Sequence, residues 1–180
     1  MSRTSIAGIY ASLVAGVLLT SDALAITDTR FLYAQPQTGA FQMPPPAFFP
    51  DSSTVPFSAT NGTSITVGTN SFNCFSAPVN LPHGSTMTQM TVWHKAVAFA
   101  DNAAGLFRID VTNADFQSLI NTSLVTTNNV RAATNFTIPA DGRQIINNRR
   151  YSYILRFCLT KTTSQFWGGR ITYEYSNAGD

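Results

Sequence analysis

The chain has 180 residues and a formal net charge of +2, with only 11% of residues charged against roughly 25% in an average domain. That balance excludes the broad basic field that nucleic-acid binding requires. Polarity comes from Thr, Ser and Asn; Glu174 is the only glutamate and Lys95 and Lys161 are the only lysines, so strands rather than exposed helices are expected.

In chain order, residues 1–25 read as a secretory signal. Arg3 supplies the positive start, residues 6–19 an apolar run, and Ala23 and Ala25 the small residues before a cut. The apolar run is shorter than the roughly 20 residues needed to span a bilayer. Cleavage after Ala25 is therefore expected, giving an exported bacterial protein, periplasmic or extracellular, with no membrane span once the signal is removed. The remaining chain is long enough for one domain with its own core.

Residues 26–61 carry Pro44, Pro45, Pro46, Pro50 and Pro56. Prolines at this density oppose helix and central strand. Phe41, Phe48, Phe49 and Phe57 are interleaved with them, so this segment is expected to be an extended arm whose rings pack on a domain formed by residues 62–180.

From residue 62 onward, period-two patterns recur between turn signals. "TSITVGT" alternates Ile65 and Val67. "STMTQMTVWH" sets Thr88, Met90 and Val92 against Met87, Gln89, Thr91 and Trp93. In "GLFRIDV" the pattern places Phe107, Ile109 and Val111 inward and Leu106, Arg108 and Asp110 outward. "NADFQSLINTSLV" has a cap signal and Phe116, Leu119 and Ile120 at helical spacing, so a short helix competes with a strand there. "RYSYILRFCLT" aligns Tyr151, Tyr153, Leu155, Phe157 and Leu159, and "RITYEY" aligns Ile171, Tyr173 and Tyr175. The expected fold is all-β: an antiparallel, jelly-roll-like β-sandwich of about eight strands with an irregular proline-rich N-terminal arm.

Candidate chemistry is sparse. His83 lies in Pro82-His83-Gly84, where proline fixes one φ and glycine permits a positive one, so the tripeptide reads as a turn. It has no evident nucleophile or orienting acid. His94 has no companion ligands at a metal-binding spacing. Asp110, Asn113 and Asp115 offer oxygens, but calcium takes six to eight. No pair of carboxylates stands out for glycoside hydrolysis. No cofactor, metal or catalytic residue is expected. Cys74 and Cys158 are an even pair in an exported chain. A disulfide and two buried thiols both fit. Trp93, Trp167, Tyr173 and Tyr175 could form an aromatic platform for a glycan, or fill the core.

The stretch "FSAPVNLPHGSTMTQMTVW" resembles a motif of uncharacterised secreted bacterial proteins, in which "LP-x-G" precedes a Thr-rich strand. "NNRRYSYILRFCL" and "FWGGRITYEY" are similar to the last two strands of that family, and "PPPAFFPDSS" to its irregular start. The resemblance implies an exported, jelly-roll-like β-sandwich and no established activity. The leading expectation is a non-enzymatic structural or interaction domain that self-associates through its aromatic faces or its arm. The alternative is a carbohydrate-binding module, whose partner would be a surface polymer or glycan.

Overall fold

The computed structural model describes residues 31–60, 62–95, 102–124 and 130–178. The expected signal segment lies outside them. Eleven strands occur among the described residues, in place of the expected eight: β1 (Phe31–Met43), β2 (Phe49–Pro50), β3 (Phe57–Thr60), β4 (Ser64–Val67), β5 (Asn73–Pro78), β6 (Thr86–Lys95), β7 (Asn102–Asp110), β8 (Phe116–Leu124), β9 (Ala132–Thr137), β10 (Tyr151–Leu159) and β11 (Gln165–Ala178). They form an antiparallel, jelly-roll-like β-sandwich. One sheet runs β3-β4-β11-β6-β9, with β1 also paired to β11; the other runs β2-β5-β10-β7-β8. No helix among the described residues is long and apolar enough to cross a membrane.

The proline-rich arm supplies the additional strands. β1 pairs with β11 over most of its length, and the register shifts between Leu32 and Gln37, the interval that contains Pro36. Proline is tolerated there because a bulge on an edge strand has no ladder bond to lose. Pro45 opens a single 3-10 turn, Pro45–Ala47. The arm's rings divide. Phe48 is buried and Phe41 partly buried, while Phe49 is exposed.

β10 follows its alternation. Tyr153, Leu155, Phe157 and Leu159 are all buried between the sheets. Phe157 is the centre of an aromatic stack: its ring lies 3.5 Å from Phe166 of β11 and 5.1 Å from Phe75 of β5, both nearly parallel to it. Phe48 meets Phe157 and Phe166 edge-on at 5.1 and 5.0 Å. Arm and both sheets are thus joined through one group of rings. Each such pair adds about 0.5–1.5 kcal/mol beyond the area it buries.

β7 departs from the expected facing. Leu106 is fully buried, whereas Val111 is exposed and lies beyond the strand. The core face carries Asn102, Ala104 and Leu106, and Asp110 is also buried. β7 itself alternates regularly, its inward set one residue off the expected one; opposite Leu106 and Phe107 the register shift leaves Leu119 of β8 as an extra residue, and that bulge exchanges the faces of β8 on either side of it. The segment with helical spacing is the strand β8, preceded by a turn with Ala114 at φ 58°. The Asp110 carboxylate accepts bonds from the Thr112 backbone N–H and hydroxyl at 2.9 and 2.6 Å and from Arg150 Nε at 2.8 Å. These bonds hold its pKa down at about 2. The oxygens considered for calcium are engaged within this turn: Asn113 Oδ1 accepts from the Asp115 N–H, and Asp115 Oδ2 from Gln117.

Cys74 and Cys158 stand directly opposite each other in the β5–β10 register and form a disulfide. The bridge closes a loop of 84 residues, which the chain-entropy relation values at roughly 4–5 kcal/mol. Such a bond belongs to an oxidising compartment.

His94 is a core residue. It is completely buried, and its Nε2 lies 2.8 Å from Thr134 Oγ1. Burial lowers its pKa from 6.5 to about 4. The unfolded chain therefore binds a proton between these values that the folded chain refuses. Stability is fully present above pH 6.5 and falls as the pH drops toward 4, by about 3 kcal/mol in all. Urea unfolding across this window is expected to show that slope in the wild type and a flatter one in His94→Gln. An unchanged slope in the variant would assign the effect to other groups.

Candidate functional site

The outer face of the six-stranded sheet follows from the strand register. Residues paired across strands share a face. Val92, Met90 and Ile171 point to the core. Arg170 therefore faces outward, between Gln42 of β1 and Thr91 of β6. Trp93 faces the same way, between Gly168 of β11 and Ala133 of β9. Farther along lie Gln89 and Thr172, and Thr91 donates to Asn135 Oδ1 at 2.7 Å. The surface is rich in amides and hydroxyls.

At one end of this face the ladder is interrupted. Phe166 pairs with His94 and Gly168 with Trp93, so Trp167 is an extra residue on β11. This bulge turns the indole outward directly after a buried phenylalanine. Gly168 makes it possible, with φ +123° and the Met43 carbonyl so close that a Cβ would lie 2.6 Å from its oxygen. "FWGGR" thus encodes an outward tryptophan at a point where the backbones of β1 and β11 converge.

The result is a cleft of about 380 Å³ lined by Gln42, Pro44, Trp93, Arg131, Trp167 and Arg170, with Met43, Gly168 and Gly169 completing its wall. Its size is that of an ordinary small-ligand site. Trp93 and Trp167 are both half-buried. The Arg131 guanidinium carbon lies 5.1 Å from the Trp167 ring centre, and that of Arg170 5.4 Å from the Trp93 ring centre. Both separations suit cation–π attraction.

Of the four aromatics considered for a platform, the structure brings Trp93 and Trp167 together. Tyr173 and Tyr175 lie on the opposite side of β11. Tyr173 packs against the core, and Tyr175 meets it at 5.7 Å and Tyr33 at 5.6 Å. Strand alternation explains this, since position 173 shares its face with Ile171.

His83 stands away from the cleft, in a turn that the Ser85 N–H closes on the Pro82 carbonyl at 3.1 Å, with Gly84 at φ +78°. Its Nδ1 accepts the Asn148 backbone N–H at 3.2 Å, and Gly84 N–H donates to the Ile146 carbonyl at 2.8 Å. The turn thereby docks the connection leading into β10. Asn148 adds a side-chain bond to the Leu81 carbonyl at 2.9 Å.

A second hollow, of about 260 Å³, lies on the outer face of the other sheet. Phe72, Phe107 and Phe116 wall it, and Ala103, Gly105 and Cys158 lie beneath. Its guanidinium, Arg156, is paired with Asp51 at 2.7 Å. The tryptophan cleft differs in presenting polar groups and two arginines beside its aromatic surface.

These features define the chain as an antiparallel β-sandwich domain with an aromatic and cationic cleft on one sheet. No protein-family model matches the chain, and no curated protein matches it. Among solved structures it is similar to the C-terminal CBM6 of LamC, a marine laminarinase from Zobellia galactanivorans, at 13% identity and a TM-score of 0.49, covering 74% of this chain and 99% of that one. It is also similar to the xylan-binding module CBM15, at 9% identity and a TM-score of 0.49, covering 79% of this chain and 100% of that one.

The leading expectation from the sequence is corrected here. The self-associating structural domain expected from the sequence is not what the chain resembles: the two solved structures named above are carbohydrate-binding modules. The physical reason lies in the chain itself: the two tryptophans neither fill the core nor form a flat apolar patch. They line a polar cleft with Gln42 and two guanidinium groups.

Proposed function

We propose that this domain is an exported, non-catalytic glycan-binding module and that the cleft between Trp93 and Trp167 is its binding site. The observation that carries this reading is the bulge at Trp167, which sets a second indole beside Trp93 among hydrogen-bonding side chains. A sugar ring has an apolar C–H face and a rim of hydroxyls. Indoles offer apolar contact area to the face, while Gln42, Arg131 and Arg170 offer donors to the rim. The disulfide fits an exported, oxidising setting.

Affinity electrophoresis through gels containing individual polysaccharides tests the proposal. The wild-type chain is expected to be retarded by at least one of them. Trp93→Ala and Trp167→Ala are each expected to weaken that retardation about 10- to 100-fold, as loss of a buried aromatic anchor does, with circular dichroism unchanged. Retardation that survives in the double variant would contradict the proposal.

A further inference from the structure

We infer that the glycan taken by this cleft is anionic, bearing a carboxylate or a sulfate ester that Arg131 and Arg170 hold together. The inference rests on the cleft being a glycan site and specifies what that glycan must carry.

Charge is scarce in this chain, at 11% of residues, and its distribution is uneven. Among the described residues, Arg143, Arg150 and Arg156 are each paired with an aspartate. Arg131 and Arg170 are in none of these ion pairs; each lies over an indole instead. Both line the one cleft, and no carboxylate is among its described lining residues. Arg170 Nε is buried without a hydrogen-bond partner, although a buried donor ordinarily has one. The only glutamate, Glu174, is on the same outward face but four residues farther along β11. At about 3.3 Å per residue the two Cα atoms are roughly 13 Å apart, and the side chains form no ion pair with each other among the described residues.

Two like charges lining one cleft repel each other, and an anion between them relieves the repulsion. A guanidinium held over an indole keeps its planar fork of N–H donors, which fits the paired oxygens of a carboxylate or sulfate. A neutral sugar offers only hydroxyls and leaves both charges uncompensated. Gln42, beside Arg170 in the β1–β11 register, adds an amide that hydroxyls can meet. An anionic sugar therefore uses every polar group of the cleft.

The test compares polygalacturonate, a sulfated galactan and a neutral galactan by titration calorimetry, at low and high salt. The variants are Arg131→Gln/Arg170→Gln and, as a control, the exposed turn residue Arg149→Gln. At least one anionic polymer is expected to bind 10-fold or more tightly than neutral galactan, and whichever is preferred identifies carboxylate or sulfate as the group recognised. The advantage should shrink in high salt. It should vanish in the double glutamine variant, whose affinities for the anionic and neutral polymers become equal, and persist in Arg149→Gln. Neutral galactan bound as tightly as both anionic polymers would overturn the inference and leave glycan binding standing. So would equal losses in Arg149→Gln and the double variant, since that pattern marks diffuse charge attraction. Binding of none of the three, together with no retardation by any polysaccharide gel, would overturn both readings.

Discussion

Phe157→Ala is expected to destabilise the domain by about 3–5 kcal/mol, the usual cost of deleting a buried phenylalanine. The ring is almost fully buried and stacks on Phe166 and Phe75 while meeting Phe48 edge-on. Its removal opens a void touching both sheets and the arm at once. Partners on three elements cannot all move inward, so the void should close poorly. A fall of this size exceeds half the stability of many domains. Phe157→Leu should recover part of the loss. Urea denaturation of the oxidised protein measures the difference. A loss below about 1 kcal/mol would mean that the stack is not the centre of the core.

The second large effect is expected at Gly168. Gly168→Ala places a methyl 2.6 Å from the Met43 carbonyl oxygen, at φ +123°. The strained backbone alone costs about 1–3 kcal/mol. The contact cannot be relieved by a side-chain rotation because its partner is backbone, so β1 must separate from β11 where the two form the cleft wall. Stability and glycan affinity are both expected to fall. Gly142→Ala is the matched control. Gly142 also has a positive φ, of +89°, but a methyl there meets nothing within 4 Å. It should show the strain without the clash, and leave binding intact. Equal effects at the two positions would remove the structural role assigned to the bulge.

Much of the fold was legible in local pattern. β10 alternates cleanly because Leu155 and Phe157 face a core on one side only, and the chain's poverty in Lys and Glu pointed to strands. The errors in β6 and β8 fall at bulges. At Thr88 the register moves by one, since Met87 pairs with Tyr173 and Gln89 with Thr172. Met87 and Met90 therefore both reach the core, although simple alternation places them on opposite faces. Leu119 does the same to β8. The edge strand β1 was concealed because the dense prolines from Pro44 onward led the whole of residues 26–61 to read as one irregular arm.

The site was half legible. Trp93 and Trp167 stood out as the only two tryptophans, but alternation alone could not separate them from Tyr173 and Tyr175. "FWGGR" was the available signal: an aromatic pair before two glycines marks a bulge more than a regular strand. Gln42, Arg131 and Arg170 were hidden because they come from distant parts of the chain, joined only by the pairing of β1 with β11 and of β9 with β6.

The chain contains two tryptophans, and both line the cleft, so indole signals report on this site alone. The most direct measurement is a titration of the ¹⁵N-labelled domain with oligosaccharides cut from a retained polysaccharide, following the two indole Nε1–H resonances. Both resonances are expected to move, saturating at the same ligand concentration as the calorimetric binding curve. Binding that saturates while both indole signals stay fixed would place the glycan elsewhere on the molecule and contradict the assignment of the cleft.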